Sequence, residues 1–105
     1  MDSPVLTLDH ARTRIAEAAD EIRALGVVRL ALFGSVLRGN AGPESDIDLL
    51  VFFSDGTKTF DSFFTLCELL EEILGRRVEL VTAEALSPHF GPKILAEAQD
   101  VLRAA

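Results

Sequence analysis

The sequence predicts an α/β protein, a two-layer α+β arrangement in which helices flank a small mixed three-stranded sheet. Two observations predict it. Apolar runs with helical and with strand-like spacing alternate along the chain, and such alternation builds helices packed on a sheet. The connection between the first two strands is too short for a crossover helix, so these strands are expected to pair antiparallel within a mixed sheet.

Taken in order, residues 1–6 are a lead-in. Thr7 or Asp9 can cap a helix running to Leu25, with Gly26 as its stop. Its buried stripe is Ala11, Ile15, Ala18, Ile22 and Leu25. The first strand is Val27–Phe33, apolar and rich in β-branched residues, ended by Gly34. Residues 35–39 suit a short helical turn, and residues 40–44 (Asn-Ala-Gly-Pro-Glu) are turn chemistry. The second strand, residues 46–53, opens on two aspartates. Beyond them both of its faces are apolar, which marks it as central and covered on both sides.

After a loop at 54–58, a helix is expected over 59–74, stopped by Gly75. Phe60, Phe64, Cys67, Leu70 and Leu74 fall on one stripe, and Phe60, Phe63 and Phe64 read as core. The third strand is 77–82, with Val78 and Leu80 on one face and Glu79 and Val81 on the other. Residues 83–86 make a turn, Ser87-Pro88 a break, and residues 92–102 a last helix with Pro92 in its first turn. Neither repeat nor linker interrupts the pattern, so residues 1–105 read as one domain.

Composition narrows the function. Of the 105 residues 49% are apolar and 26% charged, a balance that suits a folded globular domain and not a disordered one. The formal net charge of −7 argues against a broad surface for duplex nucleic acid. No run reaches transmembrane length, so no membrane partner is expected. The single cysteine, Cys67, excludes an intrachain disulfide and fits a cytoplasmic location.

The chemistry concentrates between Phe33 and Phe53. Asp46 and Asp48 sit at alternate positions of a strand and point the same way. Two carboxylates that close resist joint ionisation unless a cation lies between them. Hard divalent ions such as Mg²⁺ take carboxylate oxygens and keep substrate phosphates as further ligands. Gly34-Ser35, just upstream, lets backbone N–H groups approach a phosphate. The competing reading makes Asp46 a turn cap, Asp48 an edge charge and Gly34-Ser35 a plain strand end. Glu79 is a third carboxylate, out of place in an apolar strand; it can join the aspartates or pair with Arg76 or Arg77. Arg38 can contact a triphosphate, orient the acidic loop or pair with Glu44. His89 and Lys93 can reach a phosphate or an acceptor, or be solvated.

Gly34-Ser35, ten intervening residues and then Asp46-x-Asp48 resemble the signature of the nucleotidyltransferase superfamily that includes polymerase beta. Arg38-Gly39 within the spacer and Ser45 before the first aspartate are similar to its small prokaryotic branch, the minimal nucleotidyltransferases (MNT domains). The resemblance spans nearly the whole chain. It implies the nucleotidyltransferase fold, with strand order 1-2-3, and transfer of AMP from ATP to an acceptor hydroxyl with release of pyrophosphate. It also implies Mg²⁺, two ions in the fuller version of the site. Asp46, Asp48 and Glu79 become the metal-binding and catalytic candidates; Gly34, Ser35, Arg38 and Ser45 become the nucleotide-binding ones. At the Glu79 position the family usually carries Asp, so the longer side chain puts the rate in question.

MNT domains are typically encoded beside HEPN-domain proteins, many of them toxins. The resemblance therefore implies an antitoxin that adenylylates a side chain of a HEPN partner, in a hetero-oligomer with a homodimer as a further option. The alternative is a weakly active or inactive module that neutralises its partner by contact. Nucleotidylation of a small molecule ranks below both, because no part of the chain is left over to hold one.

Overall fold

In the computed structural model, which describes residues 7–39 and 45–103, helix α1 (Leu8–Glu17) and helix α2 (Ala19–Ala24) precede strand β1 (Val27–Phe33). The short helix α3 (Gly34–Arg38) follows directly. Strand β2 (Ile47–Phe53), helix α4 (Phe60–Leu74) and strand β3 (Val78–Thr82) come next. A 3-10 turn (Ala83–Ala85), helix α5 (Gly91–Glu97) and strand β4 (Gln99–Arg103) complete the order. The expected lead-in at 1–6 and turn at 40–44 lie outside the described residues.

The local signals behave as their chemistry requires. Thr7 caps α1, its hydroxyl accepting from the His10 N–H at 3.2 Å. Thr59 caps α4 in a reciprocal box: its side chain accepts from Ser62 N, and Ser62 Oγ accepts from Thr59 N at 2.9 Å. Gly75 closes that helix in the left-handed conformation that only glycine takes without strain. The expected single helix to Leu25 is divided at Ala18, where the backbone departs from helical angles. Its stripe survives the division, since Ala11, Ile15, Ala18 and Ile22 are all buried.

The described residues form one four-stranded mixed sheet in the order β3-β2-β1-β4. β1 and β2 pair antiparallel, as their short connection requires, and β2 and β3 pair parallel. The fourth strand corrects the expectation of three. The last helix, expected over residues 92–102, ends at Glu97, and residues 99–103 form β4. β1 has a second edge to satisfy, and β4 pairs with it antiparallel, matching Leu30 to Leu102 and Leu32 to Gln99. Three arginines hold β4 there. Arg29 Nε meets Asp100 Oδ1 at 2.6 Å, Arg12 Nε donates to the Asp100 carbonyl at 3.0 Å, and Arg23 Nη2 donates to the Arg103 carbonyl at 2.8 Å. Burial of Val101 and Leu102 outweighs the helix propensity of the segment.

The core lies on one face of the sheet. Leu30 and Leu32, Ile47, Leu49 and Val51, and Val78 and Leu80 meet Ala11, Ile15 and Ile22 from the first two helices and Leu66, Leu70 and Leu74 from α4. Side chains alternate along strands, so Asp48, Leu50 and Phe52, together with Glu79, fall on the opposite face. The α4 stripe is displaced from the expected one. Phe60 and Phe64 are 81% and 55% exposed, against the reading that made them core, and stack on each other with centroids 6.0 Å apart. Phe63 packs against the core instead. No helix among the described residues is long and apolar enough to cross a membrane.

Candidate active site

Three segments converge at one end of the sheet. β1 delivers Gly34 at its end, β2 begins just after Asp46, and β3 begins just before Glu79. Phe33 is the pairing partner of Asp48 across β1 and β2, so Gly34 arrives beside that carboxylate. Parallel pairing then sets Asp48 directly opposite Glu79. The start of β2 is fixed from its other neighbour: Ile47 N donates to the Arg77 carbonyl at 2.9 Å, and Arg76 Nη1 donates to the Ser45 carbonyl at 3.1 Å.

Asp48 is the centre of this arrangement. Burial pushes its carboxyl above the usual carboxylate range; the negative charges of Glu79 and then Asp46 push in the same direction, and Arg38 pulls back. Glu79 and Asp46 thus both lie within electrostatic reach of Asp48. Asp46 and Glu79 are solvent-exposed, while Asp48 is half-buried.

Gly34 is required here on two counts. Its φ is +81°, a region that strains any residue with a side chain. A Cβ built on it would also collide with Asp48 Oδ2. The glycine therefore lets the backbone of the turn lie against the carboxylate. Ser35 and Arg38 follow on α3, which Gly39 ends at a φ of +76°. Arg38 Nη1 meets Glu97 Oε1 at 3.0 Å, and the same oxygen accepts from the Gly34 N–H at 3.4 Å. Glu44, the other partner proposed for Arg38, lies outside the described residues. His89 and Lys93 are both exposed near the start of α5.

Sequence reading gave Glu97 no role. Nothing local marks it, because it reaches the site only through the α5 to β4 corner, far along the chain from Arg38. A second feature not read in advance lies further along the same sheet face, where the Arg29 guanidinium sits over the Phe52 ring, 4.8 Å from its centroid.

The donor set suits a hard divalent cation shared with phosphate. Asp48 carries charge that its neighbours make costly to leave uncompensated, and Gly34 opens space for a backbone approach beside it. Among the described residues no three His, Cys, Asp or Glu side chains converge into a cage for an ion. An ion such as Mg²⁺ is commonly held by one or two carboxylates, its remaining positions going to water and substrate phosphates. A cavity of about 260 Å³ opens at the far end of β2, lined in part by Phe53, Asp55, Lys58 and Glu84. It is separate from the carboxylates.

Comparison with known proteins identifies the family and the fold. Residues 13–101 match the family model described as the nucleotidyltransferase domain. The protein adenylyltransferase MntA of Thermococcus cleftensis is 35% identical over 94 residues, 89% of this chain and 94% of that protein. A solved structure provisionally described as a minimal nucleotidyltransferase superposes with a TM-score of 0.77 at 36% identity. That match covers 92% of this chain and 98% of the other. A chain of a complex between a tri-AMPylated HEPN toxin of Shewanella oneidensis and its MNT antitoxin superposes with a TM-score of 0.64, covering 93% of this chain and 74% of that one. At 18% identity this last match speaks for the fold alone.

Proposed function

The chain belongs to the nucleotidyltransferase domain family and has that family's fold, and from this premise we propose that it is a Mg²⁺-dependent adenylyltransferase. Residues 1–105 act as one domain, moving AMP from ATP to a side-chain hydroxyl of a HEPN-type partner protein and releasing pyrophosphate. The observation that carries this reading is Asp48: half-buried, packed against a glycine turn, its carboxyl pushed above the usual range by burial and then by Glu79 and Asp46. A carboxylate in that setting is stabilised by a cation that also draws in phosphate.

Asp46 and Asp48 would hold the metal, with Glu79 as the further ligand for a second ion. Bound there, divalent metal supplies charge neutralisation of the phosphates and a more acidic acceptor hydroxyl. Backbone N–H groups at Gly34 and Ser35, with the Ser35 hydroxyl, receive the phosphate chain. Arg38 adds a guanidinium to the same chain, and Ser45 lines the approach to Asp46. Alternatively to ligating that ion, Glu79, opposite Asp48, would accept the acceptor's proton. The steps are chiefly positioning and electrostatics, as in other phosphoryl transfers.

The partner rests on likeness. The MntA relative is named a protein adenylyltransferase, and the toxin-antitoxin complex above contains an AMPylated HEPN toxin. An antitoxin role within a hetero-oligomer follows from that analogy, with a homodimer as the further option. Glu79, where the family usually carries Asp, favours the second reading, a module that neutralises its partner by contact without transfer.

One assay separates the two. ATP labelled at the α-phosphate is incubated with Mg²⁺, the full chain and a HEPN-type protein encoded beside it. The expected result is label on the partner from wild type and a loss of roughly 10²–10⁴ in rate for Glu79→Gln, the range for a missing general base. The affinity of Glu79→Gln for Mg²⁺-ATP should stay within a few fold. Neutralisation of the partner by both proteins with no label on it would establish the contact module instead.

A further inference from the structure

One carboxylate at the site has no place in the chemistry above. Glu97, in the last turn of α5, directs Oε1 at Arg38 Nη1 (3.0 Å) and at the Gly34 N–H (3.4 Å). These are two of the donors assigned to the phosphate chain. A guanidinium and a backbone N–H make the same demand of a carboxylate oxygen as of a phosphate oxygen. We propose that Glu97 is an internal competitor for the nucleotide, occupying the phosphate side of the site until the phosphate chain displaces it. The inference rests on the reading of Gly34 and Arg38 as phosphate-binding residues.

Two observations support a built-in competitor. First, the backbone carrying Glu97 is anchored. Ala98 N donates to the Ile94 carbonyl at 2.9 Å, and β4 starts at Gln99, held through Asp100 by Arg29. The position of the carboxylate is thus set by the sheet, and only the side chain has to move. Second, the contact is open to exchange. The Arg38 side chain is 53% exposed and that of Glu97 27%, so water screens the pair and keeps it weak. A firmly buried pair would block the site; this one can yield to a triphosphate carrying more charge.

The rival role for Glu97 is to position Arg38 for the phosphate, and it predicts the opposite sign. Glu97→Gln removes the charge and keeps the shape. The full chain, wild type and variant, is titrated with Mg²⁺-ATP by calorimetry at low ionic strength. The proposal predicts a gain in affinity of about two- to fivefold for Glu97→Gln, the range that loss of a screened ion pair allows. The gain should shrink in an Arg38→Gln background. Without nucleotide, the Gly34 amide resonance should shift on the Glu97→Gln change. Glu97→Asp, with its carboxylate drawn back by one methylene, should gain affinity as well and serves if the glutamine variant folds poorly. Equal or weaker binding by Glu97→Gln overturns the competitor while leaving the nucleotide reading intact. Binding by neither wild type nor variant overturns both.

Discussion

Asp48→Asn should abolish nucleotide transfer, by ~10³-fold or more, and at the same time raise the melting temperature at neutral pH. The first effect follows from removing the more buried of the two aspartates proposed to bind metal. Metal stabilisation of transition-state charge is worth several kcal/mol, and each ~1.4 kcal/mol is a factor of ten in rate. The second follows from the position of the Asp48 pKa. Its folded value lies above the ordinary one, through burial, Glu79 and Asp46. The native state therefore holds that proton more tightly than the unfolded chain does. This contribution favours the fold in acid and fades as pH rises from the ordinary Asp value through the raised one. At neutral pH the ionised carboxylate is a net cost, which the isosteric amide removes. Thermal unfolding across pH 3 to 8 with and without the substitution measures it: the variant should gain most at neutral pH and little in acid. A less stable variant would make Asp48 a structural residue.

Gly34→Ala should be damaging in both respects. A side chain at a φ of +81° costs about 1–3 kcal/mol in backbone strain. The added Cβ also meets Asp48 Oδ2, so either the turn or the carboxylate must move. Misplacement by about an ångström at a reacting centre costs ~10²-fold, and the loss should appear in transfer and in Mg²⁺-ATP affinity together. Denaturant unfolding and the labelled-ATP assay check the two effects. Activity close to wild type would mean that the contact between Gly34 and Asp48 is irrelevant to the site.

Much of this was legible in the sequence because the signals are local. Val27–Phe33 is an apolar run bounded by glycines, and it forms the strand with those bounds. The helix expected over residues 59–74 and stopped by Gly75 is α4, Phe60–Leu74, with Gly75 at its end. The alternation of Asp46 and Asp48 fixes their common side once Ile47 and Leu49 are recognised as core. The approach of Glu79 needed one step more, strand order, which came from family resemblance and is borne out by the pairing of Asp48 with Glu79.

What escaped the sequence depends on distant partners. Residues 93–99 are mostly good helix formers and no glycine or proline follows before 102, so only the unpaired edge of β1 turns their end into β4. α4 is apolar around much of its circumference, so two stripes compete. The sheet selects Leu66, Leu70 and Leu74, leaving Phe60 and Phe64 exposed. Glu97 reaches Arg38 only because β4 fixes the end of α5. No local pattern encodes that meeting.

The central claim is that Asp46 and Asp48 bind nucleotide through a divalent cation beside the Gly34-Ser35 turn. Calorimetric titration of the full chain with ATP, in Mg²⁺ and again in excess EDTA, tests it most directly. The account predicts clear binding with Mg²⁺ and its loss with EDTA, because without the cation the phosphates face Asp46, Asp48 and Glu79 uncompensated. Equal affinity under the two conditions would contradict it.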